Sequence, residues 1–237
     1  MTFGTYGIRG IATLRLAGAR GVPLHVLSAG PAGAHPVILL HGFPECAFAW
    51  RRYLRPLAAS GFRVLAPDQR GYGYSGKPRG RRAYTLDILA DDIVALADSL
   101  EASRFAIVGH DWGGVVAWHL ATRNPERITA AVILNAPHPA TMAPFMLRHP
   151  MQIARSCYVA FVQTPLVAEA LLRTRDFALL ARTMTATARP GAFSRRDLCR
   201  YREAWRQLGH SPACSTGTAP CRLRASPRSS ASVFRCR

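Results

Sequence analysis

A short turn in the middle of the chain carries the residue best suited to covalent chemistry. The pentapeptide Gly109-His110-Asp111-Trp112-Gly113 stands between an apolar run at residues 105–108 and a helix-like segment at 115–122. A nucleophile on a sharp strand-to-helix turn with flanking glycines is the arrangement of the G-x-S-x-G motif, here with aspartate in the serine position. Glycines suit such a turn because a Cβ would clash with the tightly folded backbone. We interpret Asp111 as a candidate nucleophile; the alternative is a solvated carboxylate that caps the following helix.

The choice of aspartate predicts a particular reaction. A serine that attacked a saturated carbon would form an ether, which water does not readily cleave. An aspartate that attacks the same carbon forms an ester, and water can then attack the ester carbonyl. Asp111 therefore indicates displacement at an sp³ carbon followed by ester hydrolysis, rather than acyl transfer.

A second motif would supply hydrogen-bond donors to this reaction. His41-Gly42-Phe43-Pro44-Glu45 follows the apolar run at residues 37–40. By itself this is a common tight turn, but enzymes with a nucleophile on a strand-to-helix turn take one oxyanion donor from such a loop and one from the residue after the nucleophile. We expect the backbone N–H groups of Phe43 and Trp112 to converge on the oxyanion that forms as the ester is hydrolysed.

A mainly parallel α/β sheet would bring the two motifs together. Four short apolar runs are typical of strands buried on both faces, and they cover residues 37–40, 62–66, 105–108 and 128–134. Residues 11–28 alternate loosely and predict an opening hairpin. Thr85 is a predicted N-cap, followed by apolar residues at helical spacing. The polar face of that helix is expected to meet water and carries Asp87, Asp91, Asp92 and Asp98.

The sequence changes character twice after this α/β region. Residues 140–207 contain no strand-like run but several helical stretches, which predicts a helical insertion after the fourth parallel strand. Residues 211–237 are rich in Ser, Arg, Ala, Pro and Cys and hold too few large apolar side chains to order themselves. We therefore divide the chain into a core at 1–139, a helical cap at 140–207 and a disordered tail at 208–237.

Composition and charge narrow the classes of function. The chain has 31 Lys and Arg residues against 13 acidic ones, a net charge of +18, and Lys77 is its one lysine. The arginines are scattered and not interleaved with aromatic residues, so nucleic-acid binding is not expected. A non-catalytic protein whose basic surface binds polyanions remains the alternative from another class. No apolar run approaches the ~20 residues of a membrane-spanning helix, and no Cys or His spacing resembles a metal site.

Four segments together carry a family resemblance. They are the loop at 41–45, the segment Asp68-Gln69-Arg70-Gly71-Tyr72-Gly73-Tyr74-Ser75-Gly76-Lys77-Pro78, the turn at 109–114, and Asn135-Ala136-Pro137-His138-Pro139. Over about residues 10–207 the chain resembles α/β-hydrolases of the epoxide hydrolase branch, which also includes haloalkane and haloacetate dehalogenases. The resemblance implies an α/β-hydrolase fold with a helical cap, no cofactor, no metal, and a small-molecule substrate that is either an epoxide or an alkyl halide.

One cap residue bears on the choice between epoxide and halide. Tyr158 matches, in spacing, the cap tyrosine with which epoxide hydrolases donate a hydrogen bond to the epoxide oxygen. Ring opening needs such a donor because an alkoxide is too basic to leave unaided. Phe43 also favours the epoxide branch, since haloalkane dehalogenases usually have asparagine there. Tyr158 has an alternative interpretation as a half-buried core tyrosine, and the dehalogenase remains the alternative activity.

The sequence departs from the family after residue 207. The family places a catalytic histidine and an acid on loops after the cap, and only His210 of the eight histidines lies there. Codons compatible with residues 208–220, read one base earlier, encode Pro-Gly-Ala-Leu-Thr-Gly-Leu-Leu-Asn-Trp-Tyr-Arg-Ala, which resembles the family's next segment. We therefore predict an out-of-frame tail, missing C-terminal strands and an enzyme that stalls as an ester. A cytoplasmic location is expected; the sequence does not indicate the oligomeric state.

Overall fold

The molecule is built on a mixed sheet that is mostly parallel. The computed structural model describes residues 6–141, 148 and 165–207, the first seven of the last range by their backbone only. Within them a six-stranded sheet has the order β1-β2-β4-β3-β5-β6. The strands are β1 Ala12–Ala17, β2 Pro23–Ala29, β3 Pro36–Leu40, β4 Arg63–Pro67, β5 Phe105–His110 and β6 Ile128–Leu134. The β1–β2 hairpin and the β2–β4 pair are antiparallel, and β4, β3, β5 and β6 run parallel.

Helices cover both faces of this sheet. They are α1 Leu54–Ala59, α2 Leu86–Asp98, α3 Trp112–Arg123, α4 Pro165–Ala186 and α5 Arg195–Arg206, and α4 is interrupted by non-helical backbone at residues 174–177. Thr85 caps α2 as predicted, because its side chain accepts the N–H of Ile88 at 3.4 Å. The α/β architecture expected from the sequence is confirmed.

The sheet separates two hydrophobic cores, as the alternation of side chains along a strand requires. On β3, Ile38 and Leu40 point to the core shared with α2 and α3. Val37 and Leu39 point to the other core, which takes in α1 and also the described side chains of α4 and α5. The second core therefore binds the predicted cap helices to the α/β region. The predicted tail at 208–237 lies outside the described residues.

One prediction about α2 is wrong. Asp92 was expected to face water with its neighbours, but it is 1% exposed. The Arg70 guanidinium donates from Nε to Asp92 Oδ2 at 2.7 Å and from Nη2 to Oδ1 at 2.6 Å. Ala19 in the β1–β2 turn joins the pair by accepting from Arg70 Nη2 at 2.7 Å. Helical spacing placed Asp92 on the polar face, but it could not reveal that a distant arginine neutralises it there.

The expectation that all four apolar runs are buried on both faces is wrong for β6. This strand lies at the edge of the described sheet and pairs only with β5. Val132 is 49% exposed and Leu134 is 41% exposed. An apolar run reports the tendency to be buried, whereas the actual cover depends on which elements pack against the strand.

Within the described ranges, no helix is both long and apolar enough to cross a membrane.

Candidate active site

Asp111 lies on a strained turn between β5 and α3. Its backbone has φ 51° and ψ −119°, a left-handed conformation that side chains other than glycine rarely adopt. The turn is held by the Asp111 N–H, which donates to the Leu134 carbonyl at 3.1 Å, and by the Val115 N–H, which donates to the Asp111 carbonyl at 3.1 Å. Gly113 is required because a Cβ there would lie 2.3 Å from the Leu40 carbonyl oxygen. The backbone thus presents Asp111 at the carboxyl end of the sheet.

The Phe43 and Trp112 N–H groups both act on the Asp111 carboxylate. Leu40 on β3 pairs with Gly109 on β5, so the loops that follow these strands meet at the same edge. The Phe43 N–H donates to Asp111 Oδ2 at 3.0 Å, and the Trp112 N–H acts on the same carboxyl group by lowering its pKa. Asp111 makes no side-chain cap to α3. The carboxylate therefore accepts from one of the two donors that the sequence predicted as an oxyanion site, and the other donor follows it directly in the chain. The helix-cap alternative does not describe the carboxylate.

The charge of Asp111 results from opposing effects. Burial raises the pKa of its carboxyl above the ordinary value, whereas the Trp112 and Phe43 N–H groups and the charge of His110 lower it, and the charge of Glu45 raises it. Burial dominates. A carboxylate must be ionised to attack carbon, so the neighbouring charges affect how much of the nucleophile is available.

His41 orders the loop that carries Phe43. The His41 ring is fully buried, its Nδ1 lies 2.9 Å from the Gly42 carbonyl, and its Nε2 accepts the Gln69 N–H at 3.0 Å. Burial lowers the pKa of His41 below its ordinary value. Because both ring nitrogens are engaged with the backbone, His41 holds the loop and is not available as a base.

Asp68 is a second residue that holds this loop. It belongs to the segment that carries part of the family resemblance, but no role was predicted for it. Its side chain is fully buried and accepts hydrogen bonds from the Ala47 N–H at 2.7 Å, the Tyr74 N–H at 2.9 Å and the Tyr6 hydroxyl at 2.8 Å. Burial would raise the pKa of Asp68, but His25 and the hydrogen bonds lower it below the ordinary value. The carboxylate thus joins three segments around the loop. Its position in the segment 68–78, which carries part of the family resemblance, is the sequence signal that could have identified it.

Helix α5 docks directly on the same loop. The Trp205 indole N–H donates to the Pro44 carbonyl at 2.6 Å, and the Tyr201 hydroxyl donates to Glu45 Oε1 at 3.4 Å. Both aromatic side chains are buried. Sequence reasoning missed both contacts. A helix of the predicted cap thus contacts the residue next to Phe43.

Glu45 also contacts the residue that precedes the nucleophile. Glu45 Oε2 lies 3.3 Å from His110 Nδ1, and the Asn135 amide nitrogen lies 3.4 Å from His110 Nε2. The hydrogen bond and charge of Glu45 raise the pKa of His110, the hydrogen bond being the larger effect, although burial opposes it.

The remaining predicted residues give a mixed result. Asp111, Phe43 and Trp112 are brought together, whereas Tyr158 lies outside the described residues. In the part of the chain that the structure covers, no group of three or more His, Cys, Asp or Glu side chains is close enough to hold a metal ion.

The spacing between Gly42 and Asp111 gives a direct test of the site. A Cβ at Gly42 would lie 2.5 Å from both Cβ and Oδ2 of Asp111. Asp111 Cβ is attached to a constrained backbone and cannot yield, so Gly42→Ala is expected to displace the carboxylate from the Phe43 N–H. We expect about a 100-fold loss of reaction at Asp111, the size that a misplacement of about 1 Å at a reacting group can cause. Adduct formation followed by mass spectrometry would measure it; Gly33→Ala, where no atom lies within 4 Å, is the control.

Known proteins similar to this chain point to one family. The sequence model of the alpha/beta hydrolase fold family matches residues 35–197. The chain is 42% identical over 189 residues to the AB hydrolase superfamily protein YfhM of Bacillus subtilis. The aligned region covers 80% of this chain and 66% of that protein. It is 42% identical over 188 residues to epoxide hydrolase A of Mycobacterium tuberculosis, covering 76% of this chain and 56% of that protein.

A solved structure agrees with these relatives. A mutant of an epoxide hydrolase from Bacillus megaterium, complexed with its naphthyloxy-propane-1,2-diol product, superposes with a TM-score of 0.78. It is 28% identical, and the match covers 87% of this chain and 70% of that one. The chain thus spans between about half and two thirds of the two curated relatives named above.

Proposed function

Because the chain belongs to the alpha/beta hydrolase fold family, we propose that it is a hydrolase of the epoxide hydrolase type in which Asp111 attacks an epoxide carbon. The observation that supports this most strongly is the Asp111 carboxylate on a left-handed turn, with the Phe43 N–H on Oδ2 at 3.0 Å. In this proposal Oδ2 is the oxygen that does not attack carbon. It already accepts a hydrogen bond at the position where the oxyanion would form when the ester is hydrolysed.

The first step opens the ring. One carboxylate oxygen of Asp111 bonds to an epoxide carbon, the C–O bond of the ring breaks, and the ring oxygen takes up a proton. Tyr158 is proposed as the proton donor on the strength of its sequence context. The product of this step is a hydroxyalkyl ester on Asp111.

The second step would cleave the ester. Water adds to the Asp111 carbonyl carbon, the carbonyl oxygen becomes an oxyanion held by the Phe43 and Trp112 N–H groups, and the diol leaves with the alkyl C–O bond intact. This step needs a base. Each of the six histidines within the described residues contacts another group: His41 and His138 contact the backbone, His25, His110 and His119 contact carboxylates, and His35 contacts Thr129. We therefore propose that the ester accumulates in this chain.

Intact-mass spectrometry with styrene oxide tests both parts of the proposal. We expect the mass to rise by one styrene oxide per chain and the adduct to map to Asp111 after proteolysis. Thiols are first capped with N-ethylmaleimide, because free cysteines such as the exposed Cys199 also react with epoxides. Diol release beyond one equivalent per chain would contradict ester accumulation but support the hydrolase. Absence of both adduct and diol would contradict the proposed function, and halide release from alkyl halides without diol formation would favour the dehalogenase.

A further inference from the structure

The charges of Glu45 and His110 act on Asp111, but neither residue has a part in the two reaction steps described above. His110 immediately precedes Asp111, and its Nδ1 lies 3.3 Å from Glu45 Oε2. Both side chains are partly buried, at 34% and 19% exposure, so water screens their charges less than at an open surface. The Asn135 side chain, 3.4 Å from His110 Nε2, can offer an amide N–H to the neutral ring or its oxygen to the protonated ring.

The other titratable groups around this pair are held neutral near pH 7. Burial lowers the pKa of His41, which faces His110. Burial raises the pKa of the Cys46 thiol and of the Tyr201 hydroxyl, both of which face Glu45. The charges that act on His110 and Asp111 are therefore those of Glu45 and of these two residues themselves.

Two carboxylates whose charges repel each other favour protonation of one of them, and the charge of Glu45 raises the pKa of Asp111. A protonated His110, which precedes Asp111 in the chain and lies 3.3 Å from Glu45, offsets that repulsion, and Glu45 favours the protonated form of the ring through their contact. The same Glu45 acts on Asp111 in the opposite direction, because its negative charge disfavours a second carboxylate. The two members of the pair therefore have opposite effects on Asp111, and removing either one has a predictable sign.

On the basis of the proposed role of Asp111, we propose that His110 and Glu45 are positioning residues that form a charge pair. The His110 cation keeps the buried Asp111 carboxylate ionised, and the Glu45 anion holds that cation in place. Glu45 also joins this pair to α5 through Tyr201. Neither side chain needs to touch the substrate to act in this way.

A direct titration of Asp111 tests the proposal without any substrate. The protein is labelled with ¹³C at aspartate Cγ, and the Asp111 resonance is identified by its loss in Asp111→Asn. In His110→Gln, the midpoint of the Asp111 titration is expected to move to higher pH, because Glu45 then acts alone. In Glu45→Gln, which keeps the shape of the side chain, the midpoint is expected to move to lower pH, because the repulsion by Glu45 is lost while the His110 ring stays protonated in the acidic range where a carboxyl group titrates. His119→Gln and Glu126→Gln, which change the same residue types at sites remote from Asp111, are expected to leave it unchanged.

The rate of adduct formation with styrene oxide gives a second readout. Below the titration midpoints of Asp111 in both proteins, His110→Gln is expected to react more slowly than the wild type, roughly three- to tenfold for a midpoint shift of about half to one pH unit. The difference is expected to vanish at higher pH, where Asp111 is ionised in both. A merely structural role for His110 would lower the rate equally at all pH values. Such a uniform loss, or midpoints that do not move in opposite directions in the two variants, would overturn the proposal. A wild-type protein that forms no adduct would refute the proposed function, while the titration would still decide this inference.

Discussion

Asp111→Asn is expected to reduce the adduct with styrene oxide to below about 0.1% of the wild-type rate. A neutral amide oxygen is a far weaker nucleophile than a carboxylate, and no other group stands in its place on the turn. Asparagine keeps the size of the side chain and is among the residues that tolerate a positive φ, so the turn is expected to persist. The measurement is intact-mass spectrometry on thiol-capped protein, with peptide mapping of residues 105–123. An adduct that persists at the wild-type rate would mean that another residue is the nucleophile.

Asp111→Gly separates the loss of chemistry from a loss of folding. Glycine adopts φ 51° without strain, and it also removes a partly buried carboxyl group. This variant is expected to form no adduct, yet to match or exceed the wild type in its free energy of unfolding by up to about 1–3 kcal/mol. Urea unfolding monitored by tryptophan fluorescence would measure this. A marked destabilisation would show that the Asp111 side chain supports the turn.

Arg70→Met is expected to lower the free energy of unfolding by about 3–5 kcal/mol, because it leaves the buried Asp92 carboxylate without its counter-charge. Both side chains of this pair are 2% exposed, so water cannot take the place of the guanidinium. The variant also removes the donor to the Ala19 carbonyl, which ties the β1–β2 turn to α2. Urea denaturation at neutral pH would measure the loss.

A second substitution distinguishes loss of the ion pair from loss of packing. Arg70→Met combined with Asp92→Leu removes both charges and is expected to recover most of the lost stability, since a buried pair replaced by apolar side chains is often neutral in its effect. The exposed pair of Arg123 and Asp91, 2.8 Å apart with side chains 40% and 42% exposed, provides the control. Arg123→Met is expected to cost at most about 1 kcal/mol. A comparable loss in both single variants would contradict the importance of burial.

The sequence alone determined the features that depend on local pattern. Short apolar runs predicted β3, β4, β5 and β6 as strands, and for β3, β4 and β5 the physical reason is that a central strand is covered on both faces. Thr85 predicted the start of α2 because a side-chain oxygen at that position satisfies a free N–H. The two turns that carry Phe43 and Asp111 were recognisable because their glycines and their places after strands are local properties.

Only the tertiary structure decided which partner each polar group meets. Asp92 and Asp91 are neighbours on one helix, yet the first is buried against Arg70 and the second is exposed beside Arg123. Glu45 contacts His110 on β5 and Tyr201 on α5, and Tyr201 is separated from Glu45 by 156 positions in the sequence. Helical or strand periodicity reports only which side of an element turns toward protein. The partner depends on the order of strands in the sheet and on where the helices dock, and those are set by the packing of the whole chain.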